Sequence, residues 1–175
     1  MPQFHLGCKL LPLTVAASIT LVFVTTSLQV KADMFAWFKK YDVQLSPAVS
    51  GKVTFQGKPV SGVKVVRELT YDKEFVDYAT TDNNGQFQFA EKTIRSRSPG
   101  SAFDTSKRQV LYLDHDNQRY LLWYYSTLNA SAAKTLTAKL QQLRCELTQP
   151  EKTYELPNQE HPAHPHGVTG ICTLD

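Results

Sequence analysis

The amino-acid sequence predicts an all-β protein that folds as a single β-sandwich. The main observation is the stretch 49–89, in which four runs of alternating apolar and polar residues are separated by turn-forming glycine, proline and asparagine. The second is the aromatic content, nine Phe, eight Tyr and two Trp, which supplies apolar area for a core between two sheets. The third is the length of 175 residues, which gives room for one such core.

The four runs are the first strands of the predicted sandwich, and they cover residues 49–55, 62–71, 73–80 and 86–89. Charged residues within them, such as Arg67 and Asp77, are expected on the outward faces. Asp82, Asn84 and Gly85 form the turn before the last run. Because Asn-Gly readily adopts the positive φ values of a tight turn, we expect a β-hairpin there.

A second hairpin is predicted from the runs 108–114 and 118–126 around the polar turn 114–117. The second of these runs is rich in Leu, Tyr and Trp at both alternating sets of positions, which indicates a central strand. The segment 128–148 is alanine-rich at first and then alternates. It predicts a short helical entry followed by a strand over 140–148.

The remaining segments divide the chain further. Residues 1–32 have the basic start, the uncharged apolar run and the small residue at the end that are typical of a secretory signal peptide. The alternative is an uncleaved membrane anchor formed by residues 10–30. Translation from Met34 would instead give a cytosolic form. The aromatic segment 33–47 is expected to cover one end of the sandwich domain, although contact with a membrane is a second possibility.

The sandwich domain itself is predicted to span residues 48–148, and the Pro- and His-rich segment 149–175 to be a tail. Cys145 and Cys172 are the cysteines that remain after removal of the signal peptide, and we predict that they form a disulfide that pins this tail. The alternative is a free, buried Cys145.

The predicted loop 91–108 is the longest in the domain, and long loops in compact domains are often functional. It carries four basic residues that could form an anion-binding site: Arg95, Arg97, Lys107 and Arg108. The alternative is an ordinary solvated loop, because a formal net charge of +3 provides little long-range attraction for an anion.

Three histidines of the tail, His161, His164 and His166, lie within six residues and could hold zinc, copper or nickel. Their spacing matches no strong zinc pattern, so solvated histidines are the alternative. The sequence Asp114-His115-Asp116 resembles an acid-base group, but its position at a hairpin tip favours turn formation.

The order G-x-V-x-F-x-G-x-P-V-x-G-V-x-V from Gly51 to Val65, followed by T-D-x-x-G-x-F-x-F from Thr81 to Phe89, resembles the carboxypeptidase regulatory-like family. The resemblance implies a single transthyretin-like β-sandwich with Greek-key topology. Members of the family include non-catalytic companion domains of zinc carboxypeptidases, and the wider fold includes hydrolases of 5-hydroxyisourate and iron dioxygenases. The sequence contains neither the H-x-x-E zinc-ligand pair nor a G-x-S-x-G nucleophile turn.

Together these observations predict a secreted or periplasmic, non-enzymatic binding or structural module of the cell envelope that needs no cofactor. Its expected partner is a protein, a glycan or an anionic ligand. The near-neutral charge argues against nucleic acid, and we expect membrane attachment only through an uncleaved signal segment. The rival hypothesis is an enzyme on the same sandwich, either a small hydrolase or a histidine-metal oxidoreductase.

Overall fold

The computed structural model describes residues 40–97, 106–128 and 133–174. Over these residues the chain consists mainly of β-strands with one short helix, which confirms the all-β prediction. No helix in this part of the chain is long and apolar enough to cross a membrane. The predicted signal peptide and residues 33–39 of the leading segment lie outside the described residues.

The elements, in chain order, are β1 (Tyr41–Ser46), β2 (Val49–Phe55), β3 (Lys58–Pro59), β4 (Lys64–Tyr71), β5 (Lys73–Thr80), β6 (Gln86–Phe89), β7 (Lys92–Ser96), β8 (Lys107–His115), β9 (Gln118–Thr127), α1 (Lys134–Leu140), β10 (Leu143–Glu146), β11 (Lys152–Leu156), β12 (His166–Gly170) and β13 (Cys172–Thr173).

The strands form three sheets. A five-stranded sheet has the order β13-β10-β2-β3, with β6 also paired to β2, and a six-stranded sheet has the order β11-β12-β9-β8-β4-β5. The strands β1 and β7 form a separate antiparallel pair. Strands β2 and β10 run parallel, in the register Leu143 to Gly51.

Buried side chains from the five-stranded and six-stranded sheets form one hydrophobic cluster, which includes Val53, Leu143, Leu111 and Trp123. Helix α1 contributes Leu136 and Leu140 to the same cluster. A second, smaller cluster consists of Val43, Leu45, Leu69 and Tyr71, and so joins the β1–β7 pair to strand β4. Alternation of apolar residues in β6 places Phe87 and Phe89 in the main cluster, with Gln86 and Gln88 exposed on the other side.

The turn at 82–85 is present, but the hairpin predicted around it is wrong. Asp82 Oδ1 accepts hydrogen bonds of 2.8 Å from the backbone N–H groups of both Asn84 and Gln86, and Gly85 has a φ of +75°. Strand β5 pairs with β4, whereas β6 pairs with β2. The turn therefore carries the chain from one sheet to the other, because local turn chemistry bends the backbone without choosing the partner of the next strand.

The second hairpin is confirmed. Strands β8 and β9 pair around Asp116 and Asn117, which have φ values of +49° and +62°, as a type I′ turn requires. Strand β9 lies between β8 and β12 and is central, as predicted. The register shifts between Leu111 and Tyr112, so that Leu122 is an extra residue and is buried together with its neighbour Trp123. A strand without this extra residue would place Leu122 and Trp123 on opposite faces of the sheet, as their alternation in the sequence predicted.

The segment 149–175, expected to be a tail, instead continues the sheets. Strands β11 and β12 pair with each other and extend the six-stranded sheet through the contact of Val168 with Tyr125. The expected loop 91–108 likewise contains β7 and the start of β8. Proline and histidine content concealed these strands, although their inward residues, including His166 and Val168, are buried.

The predicted disulfide is present. Cys145 on β10 and Cys172 on β13 face each other in the antiparallel register, their Cα atoms lie 4.0 Å apart, and their sulfur atoms are at bonding distance. Both side chains are buried in the main hydrophobic cluster. The bond therefore links the edge strand β13 to the neighbouring strand β10 of the five-stranded sheet.

Candidate functional site

A pocket lies where β8, β9 and β12 meet helix α1 and the end of β1. It has room for the centres of a few water-sized molecules, about 50 Å³. Leu45, Leu136 and Leu140 give it an apolar side. The polar residues that line it are Gln44, Lys107, Gln109, Tyr125, Thr127, Thr137, Asn158, Glu160 and His166.

The inward residues of β8 explain why polar side chains line part of this pocket. Leu111 and Leu113 lie in the hydrophobic cluster, but the same face of the strand continues with Gln109 and Lys107, which are also buried. Successive inward residues are spaced two apart along a strand. The row therefore changes from apolar to polar toward the start of β8, and the pocket forms at that end.

Lys107 brings a positive charge into the pocket. Its Nζ donates a hydrogen bond of 2.9 Å to the backbone carbonyl of Gln44 on β1. Burial lowers the pKa of Lys107 to about 8, because a charged ammonium group is less stable away from water. The amine is still mainly protonated at pH 7, and it loses its charge as the pH rises through 8.

His166, the first residue of β12, is only 8% exposed and lines the same pocket. Its Nδ1 lies 3.0 Å from the hydroxyl of Tyr125, whose ring meets the imidazole edge to face. Its Nε2 has no hydrogen-bond partner among the described residues. Burial lowers the pKa of His166, and the carboxylate of Glu160 opposes this effect only partly, so the ring is neutral at pH 7.

The side chain of Gln109 is held in place by a network of buried polar side chains. Its Nε2 donates to Ser46 Oγ at 2.9 Å, and the same oxygen accepts from Arg67 Nη1 at 3.3 Å. Arg67, expected on an outward face, is only 3% exposed. It also forms an ion pair of 2.7 Å with Asp77. Burial alone would raise the pKa of Asp77, but hydrogen bonds from Arg67 and Lys92 outweigh burial and lower it.

Asn158 and Glu160 form the rim. Asn158 Oδ1 accepts from the backbone N–H groups of Glu160 and His161, and its Nδ2 donates to the His164 carbonyl at 2.8 Å. Glu160 accepts a 3.3 Å hydrogen bond from the backbone N–H of Lys134, the first residue of α1, and this bond lowers the pKa of Glu160. One asparagine thus fixes the loop that borders the pocket.

The four basic residues predicted to bind an anion lie in different surroundings. Lys107 lines the pocket. Arg95 lies on β7 near the exposed carboxylate of Asp42, at 3.5 Å. Arg108 is exposed, 3.8 Å from Glu74. Arg97 lies at the end of a described stretch, and residues 98–105 of the predicted loop lie outside the described residues.

The three histidines are also separated by burial. His161 and His164 are exposed and share a turn, in which the His164 N–H donates to the His161 carbonyl at 2.9 Å, whereas His166 is buried. Over residues 40–97, 106–128 and 133–174, no group of three or more His, Cys, Asp or Glu side chains is arranged to hold a metal ion.

The sequence hypotheses missed Gln109, Tyr125 and Glu160 as neighbours of Lys107. No motif connects them, because they come from separate strands and a loop. The available signal was weak: a lysine and a glutamine on the face of β8 that otherwise holds leucines.

Comparison with known proteins gives one family match. Residues 49–150 match the family described as Domain of unknown function (DUF6795), a range that covers more than half of the chain and includes Lys107, Gln109 and Tyr125 but not His166. No curated protein and no solved structure matches the chain. The chain therefore belongs to the DUF6795 family.

Proposed function

We propose that this protein is a non-enzymatic binding module of the cell envelope whose pocket takes a small anionic ligand, such as the carboxylate end of a larger molecule. The observation that carries the proposal is the buried His166, whose Nε2 lacks a partner among the described residues, in the same pocket as the ammonium group of Lys107. A buried polar atom without a partner costs free energy, and a ligand atom would remove that cost.

The charge in the pocket favours an anion. Lys107 is a charged donor with limited access to water, and the low local polarity strengthens its attraction for a carboxylate. Neutral His166 can donate one hydrogen bond from Nε2 if Tyr125 donates to its Nδ1. The space of about 50 Å³ matches a group of only a few heavy atoms.

We further propose that the two large sheets form a transthyretin-like β-sandwich, as the resemblance to carboxypeptidase regulatory-like domains implies, and that the mature protein is secreted or periplasmic after cleavage of residues 1–32. The shared hydrophobic cluster of the two sheets supports the sandwich. The Cys145–Cys172 disulfide supports export, because disulfides persist mainly in oxidising compartments.

Binding of acetate, with acetamide as its neutral analogue, tests the proposal. Acetate should bind saturably at pH 7, with acetamide about tenfold weaker, in NMR titrations that follow the His166 imidazole. Lys107→Met should weaken acetate binding by about tenfold, whereas Lys152→Met, at an exposed position on β11, should not. Binding should also weaken from pH 7 to pH 9, because Lys107 loses its proton at about 8.

Equal binding of acetate and acetamide, or no effect of Lys107→Met, would overturn the anionic ligand. A small hydrolase is the second candidate, because an amine with a pKa of about 8, in the same pocket as a neutral histidine, is deprotonated above pH 8 and can then accept a proton. Hydrolysis of 4-nitrophenyl acetate that rises through pH 8 and disappears in Lys107→Met would favour the hydrolase over the binding module.

A further inference from the structure

A second concave region lies away from the pocket, across β6, β2 and the start of β10. It is a wide groove of about 730 Å³, which is within the range of ligand-binding sites. Tyr78 to Thr80 on β5 and Asp82 in the following turn border it. It shares no lining residue with the pocket around Lys107.

Four glutamines give this groove an unusual surface: Gln86, Gln88, Gln141 and Gln142. All four are exposed, and none of their side-chain amides forms a hydrogen bond within the described residues. An amide presents a donor and an acceptor side by side. This arrangement matches the adjacent hydroxyl groups of a sugar ring, each of which both donates and accepts.

Two cations lie side by side among these amides. Lys52 on β2 and Arg144 on β10 are partners in the parallel register, and both are exposed. Like charges at facing positions repel each other. The acidic side chain at the border of the groove is Asp82, whose carboxylate already accepts hydrogen bonds from the backbone N–H groups of Asn84 and Gln86. The acidic side chain on β10 is Glu146, whose carboxylate accepts hydrogen bonds from Thr54 and from the β2–β3 turn. An anion bound in the groove would relieve the repulsion.

An exposed aromatic ring completes the surface. Tyr78 is 63% exposed and lines the groove, with Lys64 Nζ 5.1 Å from the ring centre. Aromatic side chains at binding surfaces supply a large, rigid contact area at low entropic cost. A pyranose ring can pack against such a side chain through its C–H face.

From these three observations we propose that the groove binds an acidic oligosaccharide, in which pyranose rings carry carboxylate groups. The glutamine amides would bind ring hydroxyls, Lys52 and Arg144 would bind the carboxylates, and Tyr78 would pack on a ring. This site is independent of the pocket proposed above.

Trigalacturonate and its methyl ester form a matched pair of probes, because the ester keeps the rings and hydroxyls but loses the charges. Calorimetry on the exported protein at low salt should show binding of the acid, with the ester about tenfold weaker. Lys52→Gln and Arg144→Gln should each weaken binding of the acid by about three- to tenfold. Tyr78→Ser should weaken the binding of both the acid and the ester.

Two controls define the result. Lys152→Gln removes one exposed charge from β11 and should leave binding unchanged, and Lys107→Met should also leave it unchanged, which separates this groove from the pocket. Failure of trigalacturonate to bind would overturn the proposal. Equal binding of acid and ester, unaffected by Lys52→Gln, would overturn it in favour of a neutral sugar.

Discussion

At the scale of single residues, the carboxylate of Glu146 connects strand β10 to the β2–β3 turn. Its carboxylate accepts hydrogen bonds from Thr54 Oγ1 and the Gln56 N–H at 2.8 Å and from the Gly57 N–H at 3.0 Å, so it holds the β2–β3 turn from the neighbouring strand. Burial alone would raise the pKa of Glu146, but the hydrogen bonds from Gly57, Thr54 and Thr148 outweigh burial and lower the pKa to about 2.

The lowered pKa of Glu146 predicts a pH-dependent stability. A carboxyl group with a lowered folded-state pKa stabilises the fold above its unfolded value of 4.5, and this contribution is lost as the pH falls from 4.5 through 2. Glu146→Gln should therefore lower the free energy of unfolding at pH 7 by about 1 to 2 kcal/mol, and by less at pH 3.

Urea denaturation at pH 7, 4.5 and 3 measures this difference. Glu155→Gln, at an exposed position on β11, is the matched control and should change stability little at any of these pH values. A Glu146→Gln protein as stable as the parent at pH 7 would show that the carboxylate does not support the turn.

At the scale of secondary-structure elements, the turn between β5 and β6 depends on a glycine at one position. Gly85 combines a φ of +75° with a tight position, because an added Cβ would collide with the carbonyl oxygen of Val53. The Gly85 carbonyl also accepts a 2.8 Å hydrogen bond from the Val53 N–H.

Gly85→Val should lower the free energy of unfolding by about 2 to 3 kcal/mol, since it adds both backbone strain and a steric clash. Asn83→Ala, two residues earlier, removes only an exposed 3.4 Å contact with Ser61 and should cost less than about 0.5 kcal/mol. Guanidinium denaturation of the two variants measures both values. Equal stabilities would show that the backbone at Gly85 is not constrained.

The same turn shows what the sequence could and could not predict. Asp82 and Gly85 specify a turn through local chemistry, and alternating runs specify strands, so β2, β4, β5, β6, β8 and β9 were predicted near their observed bounds. Pairing depends on distant residues instead. The partnership of β6 with β2, and the pairing of β1 with β7, leave no local signal.

The candidate site was less predictable for the same reason. The sequence predicted that Lys107 belongs to an anion-binding loop and His166 to a metal site. The described residues form neither of these sites. Their proximity follows from the order β12-β9-β8 in the six-stranded sheet, which no spacing in the sequence encodes.

At the scale of the whole molecule, the disulfide stabilises the fold rather than pinning a loose tail. Cys145 and Cys172 are 27 residues apart, and the segment between them includes β11 and β12, which extend the six-stranded sheet. Crosslinking a loop of this length stabilises by about 3 to 4 kcal/mol on the chain-entropy model.

The double variant Cys145→Ala/Cys172→Ala should therefore lose about 3 kcal/mol of stability. Proteolysis sites in β11 and β12 should become accessible together with sites in the rest of the six-stranded sheet. Thiol titration of the denatured, unreduced parent protein should find neither cysteine free. If cleavage of the variant were confined to residues 149–174 while the rest of the six-stranded sheet stayed protected, the disulfide would be anchoring a separate tail. That result would contradict a stabilising effect on the whole fold.

The parallel pairing of β2 with β10 also bears on how the chain folds as it is synthesised. Thr54 and Glu146 are in contact although 92 residues separate them. The β2 strand is made early, and one of its edges has no partner until β10 emerges. Contacts of such long range slow folding, and open strand edges favour association between chains. The free edge of β2 therefore stays open to association with other chains until β10, which begins at residue 143, has been made.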